Sequence, residues 1–146
     1  MAGTVDIRVE LRDGPLPWGL VSEQSAEFST DPQVGGVASF QGIVRADQIQ
    51  GGLVAAIEFS THRSLAETAM YQVCETAASS VRRVFLAHAL GRVSVGEIAV
   101  AIVVGAVHRR EAFTACQDIL EQLKDEVPIF GKETTTGESY RWKENS

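Results

Sequence analysis

The chain has few cysteines and no pattern that would link them. Cys74 and Cys116 are its only two, and neither belongs to a Cys-x-x-Cys motif. We therefore expect neither a disulfide nor a structural zinc site. Both cysteines fall on the apolar faces of predicted helices, which is typical of small core residues in a reducing compartment. We expect no bound metal and no other cofactor.

Long apolar runs and an excess of positive charge are also missing. No 18 consecutive apolar residues occur, so no membrane-spanning helix is expected. Residues 1–10 carry three charged side chains and no continuous apolar segment, so we expect no signal peptide. The net charge of −6 argues against a general nucleic-acid or anionic-membrane surface. These absences predict a cytoplasmic protein, in which an anionic small molecule would need a local basic pocket.

What remains is the composition of a globular protein. With 146 residues and 45% hydrophobic residues, the chain is long enough for one domain, residues 1–146, with a substantial core. Alternating and β-branched runs predict strands, and a spacing of three to four predicts one short and two long amphipathic helices. The predicted strands are residues 5–11, 37–44, 53–60, 83–89, 93–95, 98–104, 129–134 and 139–143; the predicted helices are residues 22–28, 63–81 and 108–127.

This order predicts an α+β fold in which helices pack on a sheet. The β-branched run 98–104 should form a central strand that is buried on both faces. We expect residues 46–52 to form an exposed loop and Gly91 to end a strand. Residues 135–137 should connect a terminal hairpin. Leu65 and Phe113 fall on the apolar faces of the two long helices, so both should be buried.

The last long helix carries basic residues at both ends. His108 and Arg109 lie at its beginning, where free N–H groups attract anions, although they are equally compatible with an exposed strand-helix junction. Lys124 borders the apolar face near the other end. Its stem is either partly buried, which would lower its pKa, or solvated and favoured by the helix dipole. Arg45, at the end of a strand, is a third candidate cation or an ordinary strand-end arginine, and His62 and His88 are interpreted as surface or satisfied core histidines.

The spacing of these cations poses a geometric problem. His108 and Lys124 are separated by sixteen positions, which is roughly 24 Å along one helix. One helix therefore cannot bring both to the same small-molecule pocket. Either the chain has two sites, or two chains meet so that Lys124 of one faces His108 and Arg109 of the other. We favour the dimer.

Five separated motifs carry a family resemblance. They are residues 40–45 (FQGIVR), 106–113 (AVHRREAF), 123–124 (LK), 127–133 (VPIFGKE), and Gly137 with residues 141–142 (RW). Their order and spacing closely resemble those of the large, catalytic subunit of molybdopterin synthase. The resemblance covers about residues 35–142.

The resemblance implies an α/β-hammerhead-like fold, mostly antiparallel, and a homodimer at the centre of a heterotetramer. It implies a small ubiquitin-like sulfur-carrier subunit as partner, whose C-terminal thiocarboxylate supplies sulfur to cyclic pyranopterin monophosphate to form the dithiolene of molybdopterin. Arg45, His108 and Arg109 would bind this phosphorylated pterin. Lys124 would be the principal catalytic lysine, and Lys132 is the candidate for the second one.

The sequence departs from the family motif at one functional position. The lysine expected before the last basic residue of the Pro-Ile-Trp-Lys-Lys-Glu motif is Gly131 here, and Lys132 follows it. Lys132 would replace the missing lysine if the loop shifts, or would point away, as neighbours on an extended segment do. An alternative function is therefore a catalytically impaired paralogue that binds a sulfur carrier or a pterin as a dimeric scaffold.

Overall fold

A computed structural model describes residues 4–137 and 139–143. Three helices and eight strands alternate along this part of the chain. The strands are β1 (Asp6–Asp13), β2 (Gly36–Ile43), β3 (Gln48–Ile49), β4 (Gly52–Thr61), β5 (Arg83–Ser94), β6 (Ile98–Ala106), β7 (Ile129–Thr135) and β8 (Tyr140–Trp142). The helices are α1 (Leu20–Phe28), α2 (Arg63–Ala77) and α3 (Arg109–Glu126).

The strands form a mostly antiparallel sheet, as the sequence predicts. Its order is β2-β6-β5-β4-β7-β8, with β1 added beside β5 and β3 beside β4. Among the described strands, only β1 and β5 pair in parallel. The terminal hairpin is confirmed, since Lys132 of β7 lies opposite Trp142 of β8. The mixed α+β fold with two long amphipathic helices is therefore confirmed.

Strand β5 connects two parts of this sheet, and here one prediction was wrong. Gly91 does not end the strand, because β5 continues to Ser94. Before Gly91, residues 83–90 of β5 pair with β1; from Gly91 onward the strand pairs with β4. Gly91 has φ +80°, a conformation that glycine adopts without a Cβ clash. The glycine thus turns the strand toward a new partner without interrupting it.

Two apolar cores lie on opposite faces of the sheet. Strand β6 is buried along its whole length, which confirms the predicted central strand. On one face, Met70 and Cys74 of α2 pack with Cys116 and Ile119 of α3. On the other face, α1 and strands of the second part of the sheet enclose a separate cluster around the fully buried Phe85. Helix α3 packs across β2 and β6, and this packing determines where the two ends of the helix lie relative to the sheet.

The remaining differences concern the margins of elements. Helix α2 ends at Ala77 rather than at residue 81. Leu65 and Phe113 are 60% and 67% exposed although the adjacent Ala66 and Ala112 are buried, so both side chains lie at the solvent edge of the buried helix faces. The predicted loop 46–52 contains the short strand β3, which pairs with the start of β4.

Candidate active site

A cleft of about 740 Å³ opens beside the C-terminal end of α3. Its walls are the end of β2 with the residues that follow it, the last turn of α3, and the β7–β8 hairpin. Phe59 of β4 and His88 of β5 also line it. The cleft therefore lies where the two parts of the sheet meet, and six separate stretches of sequence contribute to it.

Two of the predicted site residues, Lys124 and Arg45, line this cleft. Lys124 is in the last turn of α3, where the helix dipole favours a cation. Its side chain is exposed in the single chain, so the partial burial considered from the sequence is absent here. Arg45 follows β2 and forms a salt bridge with Asp47 at 3.3 Å. Because both partners are well exposed, this ion pair is weak, and the guanidinium can turn to a ligand at small cost.

His108 and Arg109 lie at the opposite end of α3 and do not line the cleft. His108 is the N-cap residue of the helix, with extended backbone and no capping hydrogen bond from its side chain. Both side chains are exposed. Within one chain, His108 and Arg109 therefore lie far from Lys124, as the length of the helix predicted.

Lys132 does not line the cleft either. Along β7, the cleft is lined by Ile129, Phe130, Gly131 and Glu133, whereas Lys132 does not line it. Its ammonium lies 4.0 Å from the centroid of the Tyr140 ring, a cation–π contact. The sequence left open whether Lys132 enters the cleft or points away from it, and in the structure its side chain points away.

Gly131 occupies a crowded position in the wall of the cleft. A Cβ atom there would lie 3.0 Å from Cγ2 of Ile57 and 3.3 Å from Cε1 of Phe59. Gly131 is directly opposite Phe59 in the β4–β7 pairing, so both project onto the same face of the sheet. A lysine at position 131 would therefore have to displace these two side chains.

The cleft of a single chain does not have an excess of positive charge. Among the residues that the structure describes, three cations line it, including Lys143, and four acidic residues line it as well: Asp47, Asp125, Glu126 and Glu133. Asp47 pairs with Arg45, and the buried Glu133 accepts a hydrogen bond from Arg141 at 3.1 Å. The basic pocket expected from the sequence is therefore incomplete in one chain.

Sequence reasoning assigned no role to His88, although this histidine lines the cleft. Its Nδ1 lies 2.7 Å from the carbonyl oxygen of Ala89, which can only accept, so Nδ1 carries the proton. Burial lowers the pKa of His88, and the Ala89 hydrogen bond opposes that effect in part. The neutral imidazole makes an edge contact with Phe59, at 4.9 Å between ring centroids. The interpretation of His88 as a satisfied core histidine is confirmed, and its Nε2 remains an acceptor.

Within residues 4–137 and 139–143, no group of three or more His, Cys, Asp or Glu side chains is arranged to hold a metal ion. None of the described helices is both long and apolar enough to cross a membrane. Both cysteines are buried and unpaired, as expected from their spacing.

Comparison with known proteins shows to which family the chain belongs. The sequence model of the MoaE protein family matches residues 19–126. The molybdopterin synthase catalytic subunit of Arabidopsis thaliana is 37% identical over 123 residues, which cover 82% of this chain and 61% of that protein. This chain therefore spans less than two thirds of that relative.

Two solved structures share the fold. The molybdopterin biosynthesis MoaE protein of Burkholderia ambifaria superposes with a TM-score of 0.72 at 29% identity, covering 97% of this chain and 90% of that one. A complex of subunits 1 and 2 of the molybdopterin-converting factor from Helicobacter pylori has a TM-score of 0.77 at 20% identity, over 93% and 90% of the two chains. The second likeness, at that identity, concerns the fold alone. Because the family match covers most of the chain, the protein belongs to the MoaE family.

Proposed function

We propose that the chain is the catalytic subunit of a molybdopterin synthase. It would transfer sulfur from the C-terminal thiocarboxylate of a small ubiquitin-like subunit to cyclic pyranopterin monophosphate, forming the dithiolene of molybdopterin. The observation that carries this proposal is that Lys124 and Arg45 line the same cleft. These two cations belong to two separate motifs of the family resemblance.

Lys124 has the principal catalytic role in this proposal. Its ammonium can bind the anionic thiocarboxylate, stabilise negative charge that develops during acyl transfer, and supply a proton. The last turn of α3 holds it beside the apolar side chains of Leu120 and Leu123, which also line the cleft. Entry of a ligand would remove water from this wall and strengthen the electrostatic interactions of the ammonium.

Arg45 would bind the phosphate of the pterin. A guanidinium offers a planar pair of donors that matches phosphate oxygens, and its present partner Asp47 holds it only weakly. Lys132 stays a prediction from the motif, because its side chain points away from the cleft and packs on Tyr140.

A second copy of the chain would complete the site with its His108 and Arg109. The charge balance of the cleft supports this, since one chain provides no surplus of cations. Val107 directly precedes these two basic residues and Phe113 follows them on α3, and both apolar side chains are exposed. The exposed Val37 lies on β2 next to Gly36, which packs close to Arg109. Exposed apolar groups around a basic site are typical of a surface that another protein covers. These features favour a homodimer in which each cleft receives basic residues from the mate.

The small subunit would bind at the mouth of the cleft. Phe130 and Trp142 both line the cleft and are more than half exposed. Large exposed aromatic side chains are common anchors at protein interfaces. An extended C-terminal tail could pass between them toward Lys124. The Helicobacter pylori protein that shares the fold was solved as a complex of two subunits. We also propose a cytoplasmic location, in keeping with two unpaired cysteines.

Reconstitution tests the proposal. The protein, thiocarboxylated small subunit and cyclic pyranopterin monophosphate should together yield molybdopterin, measured by chromatography of its oxidised fluorescent derivative. Lys124→Ala should abolish product formation. Glu121→Ala, an exposed substitution one turn earlier on α3 and outside the cleft, is the matched control and should remain active. Binding of the small subunit without turnover by the unaltered chain would contradict the proposal and favour the impaired paralogue.

A further inference from the structure

The cleft contains one cation that no sequence motif indicates. The chain has only three lysines, Lys124, Lys132 and Lys143. Two of them, Lys124 and Lys143, line the cleft, and the third faces away from it. Lys143 is thus the only lysine besides Lys124 that the described part of the chain places there.

The strand register fixes the place of Lys143. In the β7–β8 pairing, Glu133 lies opposite Arg141 and Lys132 opposite Trp142. The same register puts Lys143 opposite Gly131. The backbone N–H of Lys143 donates to the carbonyl oxygen of Gly131 at 2.7 Å, so the pairing continues to this residue.

Residues directly opposite each other in an antiparallel pair project their side chains onto the same face of the sheet. Lys143 therefore shares the face of Gly131, which is the wall of the cleft. Phe59, Gly131 and Lys143 form a row across three neighbouring strands. Phe59 and Ile57 crowd the space above Gly131, whereas Lys143 stands one strand spacing, about 4.8 Å, further along the row.

Charge pairing leaves this ammonium available for a ligand. Glu133 is the carboxylate on the same face of β7, and it forms a salt bridge of 3.1 Å with Arg141. Among the residues that the structure describes, no carboxylate forms a salt bridge with Lys143. An exposed lysine in the wall of a cleft, with no salt bridge to a carboxylate that the structure describes, is suited to binding an anion from outside.

We propose that Lys143 is an anion-binding residue of the cleft, and that it supplies from β8 the second ammonium that position 131 lacks. This inference rests on the proposed function, since it assigns the residue to the same reaction. The anion would be either the phosphate of the pterin or the C-terminal carboxylate or thiocarboxylate of the partner's tail. Both are oxyanion-type groups of comparable size, and Lys143 would bind either one together with Lys124.

Anion binding can be measured without turnover. Reductive ¹³C-methylation labels the three lysines of the chain, and Lys→Arg variants assign their NMR signals. Titration with inorganic phosphate tests one source of the anion, and titration with a short peptide ending in glycine tests the other. We expect the signals of Lys124 and Lys143 to shift and saturate with at least one probe, while the Lys132 signal stays in place. A Lys143 signal that neither probe moves would overturn the proposal.

Turnover gives the second readout. Lys143→Met keeps the aliphatic stem and should lower kcat/KM on the order of tenfold to a hundredfold, the effect of losing one charge-assisted contact. Lys143→Arg should restore most of the activity. Arg63→Met removes one positive charge outside the cleft and is the control for long-range electrostatics. Equal activities of Lys143→Met and Arg63→Met would refute the role of Lys143. If the unaltered protein forms no product, the proposed function fails, and the titration alone still decides whether Lys143 binds anions.

Discussion

A site shared between two chains makes a prediction that a site within one chain does not. Helix α3 has 18 residues, so it is about 27 Å long, and it separates Arg109 from Lys124. If Lys124 of one chain acts with Arg109 of its mate, each dimer has two sites, each built from both chains. Lys124→Ala and Arg109→Ala should then impair the enzyme through different halves of every site.

Mixing the two variants should restore activity. Lys124→Ala should be inactive, and Arg109→Ala should lose on the order of tenfold to a hundredfold because it removes one charged contact to the substrate. Random reassociation of equal amounts makes about half of the dimers mixed. Each mixed dimer has one site with both residues intact and one with neither, so about a quarter of wild-type activity should return.

The matched control uses two variants from the same half of the site. Lys124 and Arg45 line the cleft of one chain, so a mixed dimer of Lys124→Ala and Arg45→Ala has one defect in each site. This mixture should recover nothing beyond the average of its parents. The assay is product formation after the two proteins are refolded together. No recovery with the Lys124→Ala and Arg109→Ala pair, or an active monomer by light scattering, would refute the shared site.

Three further predictions concern groups around the fold. Gly91→Ala should lower the free energy of unfolding by about 1–2 kcal/mol in urea titrations, because φ is +80° although the space for a Cβ is open; an unchanged midpoint would show that the bend relaxes. Burial raises the pKa of Cys74 to about 12 and that of Cys116 to about 11, so both should react slowly with iodoacetamide at pH 8 in the native state and rapidly in urea; fast native labelling would contradict the buried positions. Burial lowers the pKa of His88 below 6.5, so unfolding takes up a proton at acidic pH. The His88 contribution to stability should be complete above pH 6.5 and be lost as the pH falls through the folded-state pKa, and His88→Leu should flatten this dependence; identical pH profiles would refute it.

Periodicity predicted the elements well because each depends on neighbours in sequence. The β-branched run that became β6 has no polar face and had to be buried on both sides. The apolar spacing of α3 likewise predicted its buried face, with Ile119 and Leu123 at its centre. The family predicted from the motifs is confirmed by the match to residues 19–126. These features depend only on residues close together in the chain or on motif order.

Features that depend on strand pairing were not predictable in the same way. The sequence predicts that Gly91 ends a strand. In the structure the strand continues, because Gly91 adopts a positive φ and the pairing partner of β5 changes there from β1 to β4. Phe113 fits the apolar spacing of α3, but its side chain is exposed whereas that of the adjacent Ala112 is buried. Lys143 could not be linked to Gly131 without the register of β7 and β8. In each case the deciding contact joins residues whose pairing the sequence does not specify.

The crowding at Gly131 explains why a second ammonium would come from β8. With Ile57 and Phe59 packed against the strand, any side chain at position 131 meets atoms at 3.0–3.3 Å, and overpacking of this kind typically costs about 1–3 kcal/mol. Position 143 lies opposite on the same face, at the open end of the hairpin, where a long side chain costs nothing in packing. Phe59 also makes the edge contact that holds His88, so reducing its size to admit a lysine at position 131 would loosen the floor of the cleft. Glycine at 131 is therefore compatible with this packing, and Lys143 lies on the same face without disturbing it. For this reason, replacing Gly131 by lysine alone tests the tolerance of Phe59 as much as it tests catalysis.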